Sequence, residues 1–383
     1  MKKFLFVHDI PAEKLSLANP EVERGKYSQN VAFCWMNCFD WRNGESACAR
    51  WDSVCVADCL EYEYVMLWLL TEPGNEAKYT TFQTLVRGIR STTGRKTKVI
   101  AYADGPVGWG YQHNSLPLEM KGLFLSICRE ADFMFCYSTP ESMGYWRAVR
   151  SGHDVYAIDR PHPTDEAIAE EIDPDRKRGK TADPSLCEIP WEVDWEVGRV
   201  LAEAPRGPYI ALAKGVNNVC EERGIFTSLA IARYVQEMYG FTPIMHTHTP
   251  IEGDPTPYYR EIAGVDPVIE IKLKPWADYL RDLSRCYVAV HMDVLETRGQ
   301  FALDCATLGI PLVCSSSVAG SRLFPLTYVR HPRDVDTARE KIDRLLNNRD
   351  FYEHVRNYAR QRVGDYSCRR IRERFDAIVG ERG

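Results

Sequence analysis

The chain has 383 residues, 45% of them hydrophobic and 11% aromatic, which is enough apolar material for two cores of ordinary domain size. Its net charge of -6 gives no global footprint for nucleic acid or anionic membrane. The longest apolar run near the start, Phe4 to Val7, is too short for a signal peptide, and no later segment reaches transmembrane length, so a cytoplasmic protein is expected.

Strands alternate with helices from the start. KKFLFVHDI reads as an opening strand, and WDSVCVADCL and YEYVMLWLL read as strands or buried apolar segments. TKVIAYADGP is a strand over Lys98 to Ala103 that stops at Asp104-Gly105. A helix from about Leu116 to Glu130, the strand ADFMFCYS, a helix in ESMGYWRAVRSG closed by Gly152 and a strand in HDVYAIDRPHP complete the first half. Alternation of this kind indicates a parallel sheet, whose ligands bind at the carboxyl ends of its strands. Asp104 is the best-placed polar residue for that role, although Asp-Gly is also an ordinary turn. Trp109, Tyr111 and His113 follow in a glycine-containing loop suited to covering an acceptor, while His162, between two prolines, reads more readily as structural.

Thirteen cysteines, five of them between Cys34 and Cys59, raise the question of metal. The C-x3-C spacings at Cys34/Cys38 and Cys55/Cys59 lack the C-x2-C pairs and companion histidines of zinc sites. Reduced thiols are expected, several of them as small buried hydrophobes, and no metal site.

Residues 164–200 are linker-like and acid-rich, and divide a first domain (1–200) from a second (201–364) and a closing helical segment (365–383). The second half opens with the strand PYIALAKG, a helix around Thr227 to Tyr239, the strands TPIMHTH and PVIEIKL, and a helix from Trp276 to Ser284. Cys286 to Met292 has the density of a buried strand, and Leu308-Gly309-Ile310-Pro311 ends a helix before the strand Leu312 to Cys314. Helices over Asp334 to Asn347, Arg349 to Val363 and about Cys368 to Val379 follow. The turn Thr297-Arg298-Gly299-Gln300 therefore joins the carboxyl end of a strand to a helix N-terminus, a place that favours phosphate. Glu296 and Asp304 stand eight residues apart around it, one capping the turn and the other one to two helical turns in. The plain alternative is a cap and a solvated face.

Glu296, Gly299, Asp304 and Gly309-x-Pro311 fall in the register of the E-x7-E signature, and the segment resembles that of retaining GT-B glycosyltransferases of the large family-four class. Asp304 replaces the second Glu, and Cys305 replaces the usual Ala. The resemblance implies an α/β GT-B fold, two Rossmann-like domains facing a central cleft, with the last helix crossing back to the first domain. It implies that Glu296 meets the donor sugar hydroxyls and Asp304 the ribose diol, with Thr297, Arg298, Gly299 and Gln300 lining the donor. It also implies that Lys214-Gly215 and Arg223 reach the donor diphosphate, although the two residue types are exchanged and spaced nine apart rather than about five; two solvated loop cations are the alternative. Leu273, ending Ile269-Glu270-Ile271-Lys272-Leu273, would run along the nucleobase.

The mechanism implied is front-face transfer with retention, in which Lys214 and Arg223 stabilise the leaving diphosphate and Glu296 and Asp104 complete the catalytic set. Inversion with Asp104 as general base is the alternative. No cofactor or metal is implied; the nucleotide sugar, a UDP-sugar by preference, is the donor substrate. FLFVHDIPAEK lacks the glycine-rich loop and cationic face of membrane-associated members. Instead Arg87, Arg90, Arg95, Lys96 and Lys98 concentrate on a helix end and loop, and Arg147, Arg150 and Arg160 are interleaved with Tyr145, Trp146 and Tyr156. That mixture resembles the viral DNA-modifying glucosyltransferases and favours a 5-hydroxymethylated pyrimidine in double-stranded DNA as acceptor, in the host cytoplasm for a viral protein. A solvated basic surface, a surface or lipid-linked glycan as acceptor, a non-catalytic nucleotide-sugar or nucleic-acid binding module and a sugar-phosphate epimerase stay open, as does the oligomeric state.

Overall fold

The computed structural model describes residues 1–8, 31–39, 43–69, 76–105, 118–151, 154–162, 209–215, 224–247, 264–265, 269–272, 279–280 and 283–380. They form two compact units, one running to His162 and joined by Cys368–Gly380, the other holding the described residues from Tyr209 to Ser367.

The first unit is built on a six-stranded sheet, parallel throughout, in the order β2-β1-β3-β4-β5-β6. The strands are β1 (Lys2–His8), β2 (Ser46–Arg50), β3 (Tyr62–Trp68), β4 (Lys98–Ala103), β5 (Phe133–Cys136) and β6 (Val155–Ala157). Its described helices are α1 (Val31–Asn37), α2 (Val56–Cys59), α3 (Glu76–Ser91), α4 (Leu118–Glu130) and α5 (Pro140–Val149). Successive side chains of a strand face opposite sides, so β1 sends Leu5 and Val7 to one core and Phe4 and Phe6 to another. Burial on both faces explains why these strands read as unbroken apolar runs.

One segment differs from its sequence reading. Within WDSVCVADCL the chain forms the short helix α2, because the Asp58 carboxylate accepts the Cys55 amide at 2.8 Å in a capping box. The strand lies just ahead, at Ser46–Arg50, where only Ser46 is fully buried.

The second unit holds a five-stranded sheet, again parallel throughout, in the order β11-β10-β7-β8-β9. These are β7 (Tyr209–Gly215), β8 (Thr242–Thr247), β9 (Ile269–Lys272), β10 (Val288–Thr297) and β11 (Leu312–Ser317). Its described helices include α6 (Ile225–Tyr239), α7 (Gln300–Leu308), α8 (Val318–Leu323), α9 (Val335–Asn347) and α10 (Arg349–Val363). β8 and β9 extend one side of β7 and β10 and β11 the other, so strand order reverses between β7 and β10. In open α/β sheets that reversal opens a crevice for ligands at the strand carboxyl ends.

The last helix, α11 (Cys368–Gly380), packs on the first unit, as the sequence implied. Its apolar stripe Ile371, Phe375 and Val379, spaced at four residues, enters the core of Phe4, Trp35, Tyr64 and Phe135. Phe375 meets Phe39 edge-on at 4.9 Å and Tyr64 at 5.1 Å. Among the described residues no helix is long and apolar enough to cross a membrane.

Candidate functional site

The switch point of the second sheet is formed by the ends of β7 and β10. Lys214 and Gly215 are the last residues of β7, and β10 pairs with β7 through Val288, Ala289 and Val290 before running past it to Thr297. The approach of α6 is fixed by Gly224, whose backbone is left-handed (φ 59°) and which sits directly on β10. A Cβ there would lie 1.5 Å from the Met292 carbonyl oxygen, so only glycine fits.

β10 leaves its ladder with β11 after Met292 and rejoins it at Thr297, spending five residues where β11 spends two between Ser315 and Ser317. The excursion is a bulge carrying Asp293, Val294, Leu295 and Glu296, and bulges re-aim side chains beside active sites. Glu296 is half-buried on it, and Arg298 and Gly299 form the turn into α7. Tyr328 lies close by; burial lifts its phenol above the ordinary value, with Cys314 and the Glu296 carboxylate adding to the effect. Gly299 is left-handed (φ 84°), and a Cβ on it would come within 2.9 Å of Ser317. The α8 amide of Ala319 donates to the Arg298 carbonyl at 3.0 Å, so the N-termini of α7 and α8 meet at this turn.

Neither acid is a cap. The N-cap of α7 is Gly299 and the first turn of α7 carries no acid, so Glu296 belongs to the strand end rather than to a helix cap. Asp304 is 1% exposed rather than on a solvated face, and its Oδ2 accepts the Tyr279 hydroxyl at 3.1 Å. Burial, followed by the neighbouring Asp304 charge, pushes the Tyr279 phenol well above its usual range, which keeps it a proton donor. Thr297 and Gln300 are half-buried beside the turn, while Arg298 is 3% exposed.

Sequence reading passed over Asp293. This acid is 0% exposed, accepts the Thr297 hydroxyl at 2.8 Å, and lies 3.5 Å from His291 Nε2. The available signal was an acid standing three residues before Glu296, inside a run that remains apolar on both sides.

In the first unit Asp104 is 6% exposed at the carboxyl end of β4. Its Oδ1 accepts the hydroxyls of Tyr102 at 3.0 Å and Tyr137 at 3.1 Å, and its Oδ2 pairs with Arg160 at 3.1 Å. Burial opposes the charge on Arg160, but Asp104 outweighs it and holds the guanidinium firmly protonated. Three donors already on the carboxylate make Asp104 a holder of Arg160, Tyr102 and Tyr137, a different role from the free general base. His162 is fully buried close in sequence to Arg160, and Asp159 accepts the Ser138 hydroxyl at 2.6 Å.

The basic stretch lies elsewhere. Arg87 pairs with Glu130 through two bonds of 2.9 Å, Arg90 donates to the Glu130 carbonyl, and Arg95 forks onto Asp132 with two bonds of 2.8 Å. These residues sit at the C-terminus of α3 and before β4, at the amino ends of the strands. Asp104 stands at the other end of β4, about 20 Å away for a strand of this length. The expectation that Arg87, Arg90 and Arg95 share an acceptor site with Asp104 is therefore corrected: the three arginines tie α3 to α4 and β5. Trp146 is likewise a core residue, 3% exposed against Phe124, and Arg150 donates to the carbonyls of Cys128 and Ala131. Trp109, Tyr111, His113, Arg223 and Leu273 lie outside the described residues, as does the side chain of Lys214.

No family model matches the sequence, and no curated protein sequence matches it either. Two parallel Rossmann-like sheets with the final helix returned to the first unit define the α/β GT-B fold, and solved structures share it. Sucrose-phosphate synthase from Thermosynechococcus elongatus aligns over 100% of this chain and 99% of its own, at 12% identity and a TM-score of 0.62. Anabaena HepE in complex with UDP-glucose aligns over 100% of both chains, at 8% identity and a TM-score of 0.64. An α-glucosyltransferase in complex with UDP-glucose and DNA containing an abasic site aligns over 99% of both, at 13% identity and a TM-score of 0.57. The chain spans 58% of the length of S. aureus TarM, with 91% of its own residues aligned at 9% identity and a TM-score of 0.54.

Proposed function

We propose that this chain is a retaining glycosyltransferase that moves a hexosyl group from a UDP-sugar to an acceptor hydroxyl without a metal cofactor. The observation that carries the reading is the convergence of Glu296, Gly299 and buried Asp304 on one strand-turn-helix at the switch point of the second sheet. Glu296 would meet the sugar hydroxyls and Asp304, oriented by Tyr279, the ribose diol. The turn amides at the start of α7, with Gly215, Lys214 and Arg223, would receive the diphosphate. Solved GT-B structures that hold UDP-glucose support the choice of donor. In the step itself the acceptor oxygen attacks the anomeric carbon on the face from which the diphosphate departs. The C1–O bond breaks with its electron pair going to the diphosphate, which takes the acceptor proton. Lys214, Arg223 and the helix N-terminus stabilise the charge that develops there.

The acceptor is a hydroxyl compound recognised by the first unit. The reading of a hydroxymethylated DNA base loses Arg87, Arg90 and Arg95, which here are held by Glu130 and Asp132, and keeps the exposed Lys96, Lys98 and Arg147 and the DNA-bound structure as support. A transfer assay that pairs a panel of nucleotide sugars with hydroxymethylated duplex DNA, oligosaccharides and simple sugars tests both halves. We expect UDP-hexose turnover insensitive to chelator, and a fall of about 10²- to 10³-fold in kcat for Glu296→Gln with UDP binding retained. Binding of UDP-sugar without turnover on any acceptor would favour a non-catalytic module, and isomerised donor without transfer an epimerase.

A further inference from the structure

Asp293 has a geometry that a strand filler does not need. The β10–β11 register shifts between Met292 and Thr297, so four residues, Asp293 to Glu296, stand opposite a single residue of β11. Asp293, 0% exposed, stands at the root of that interval and spans it. Its Oδ2 accepts the Thr297 hydroxyl at 2.8 Å, its Oδ1 accepts the Leu295 amide at 3.3 Å, and His291 Nε2 lies 3.5 Å from Oδ2. Its own carbonyl accepts the Ser315 hydroxyl at 2.8 Å, which anchors the root to β11. One buried carboxylate thus closes a loop from residue 293 to residue 297 that carries Glu296. A carboxylate placed there at the cost of desolvation is justified by donors converging on it from both ends of the loop.

We infer that Asp293 is a positioning residue: through Thr297 and Leu295 it sets where the Glu296 carboxylate stands, and so how the donor sugar is held and which hexose is preferred. The inference rests on Glu296 meeting the donor sugar as proposed above. It differs from a capping or packing role because it concerns the sugar and leaves the nucleotide alone.

The test uses the full chain as Asp293→Asn, Thr297→Val and the double variant, with the UDP-hexose that the wild type turns over. Each single variant should lower kcat/KM for that donor by about 10- to 100-fold, the loss expected when a reacting sugar is displaced by a fraction of an ångström to an ångström. The ratio of kcat/KM between that donor and its C4 epimer should fall as well, while inhibition by UDP stays within about twofold of wild type. The double variant should fall no further than the worse single one, because both changes break the same link. A purely structural defect would reduce the active fraction and leave the epimer ratio untouched. If Asp293→Asn does not fold, Thr297→Val still carries the kcat/KM, epimer-ratio and UDP-inhibition readouts, and its epimer ratio decides. A wild-type epimer ratio in Thr297→Val, or additive losses in the double variant, would overturn the positioning role. Failure of the wild type to bind UDP, or to turn over any UDP-hexose, would instead overturn the functional reading beneath it.

Discussion

At the scale of single residues, Gly224 makes the tightest demand on side-chain size among the described glycines. Its left-handed backbone strains a Cβ, and its contact with the Met292 carbonyl excludes one. Gly94 is also left-handed, at φ 70°, but faces open space. Gly94→Ala should therefore cost only the conformational strain, about 1 kcal/mol, whereas Gly224→Ala must also move β10 and should cost at least about 2 kcal/mol more in urea unfolding. Equal losses for the two would remove the close approach as the cause. In the sequence Gly224 is visible only as a glycine ahead of a helix, since nothing local announces a carbonyl 68 residues downstream. The strand-turn-helix that carries Glu296, Gly299 and Asp304 was legible because its residues are contiguous in the sequence. Asp293 was not, because its partners Thr297 and His291 are recognised only once the bulge brings them around.

At the scale of elements, the join between α3 and α4 shows how a charge pattern misleads. Arg87 and Arg90 read as a cationic face because their partner, Glu130, comes some forty residues later in the chain, on the neighbouring helix. Hydrogen bonding from Arg87 first of all holds the Glu130 carboxyl down to about 2 from its ordinary 4.5. A carboxylate depressed on folding stabilises the protein above its unfolded pKa, and that contribution is lost as pH falls through the folded value. Arg87→Ala should therefore melt below wild type at neutral pH, by an amount that is steady down to about pH 4.5 and closes towards pH 2. Thermal melts across that range followed by circular dichroism would show it; a gap independent of pH would mean that the arginine acts through packing. Strands were the most legible elements, since β1, β3 and β4 are apolar on both faces, whereas β2, with the sequence Ser46–Arg50 half-buried at a sheet edge, carries no such run.

At the scale of the whole molecule, each unit carries its own hydrophobic core, and the donor residues proposed here all belong to the second. UDP at about a hundred times its Kd should stabilise the site by about 2.7 kcal/mol. Hydrogen exchange should slow around β7, β10 and α7 and stay unchanged in β1 and β3 to β5; protection confined to the first sheet would place the nucleotide in the wrong unit. The return of α11 to the first unit also has a bearing on how the chain is made. Arg372 donates to the Cys38 carbonyl across 334 residues of sequence, and Phe375 packs against Phe4. A ribosome adding roughly 5–20 residues per second would expose the aromatic face of the first sheet for at least about ten seconds before its cover is synthesised. During that interval the nascent chain leaves Phe4, Trp35 and Phe135 without their cover, so the first unit to emerge is the last to be completed.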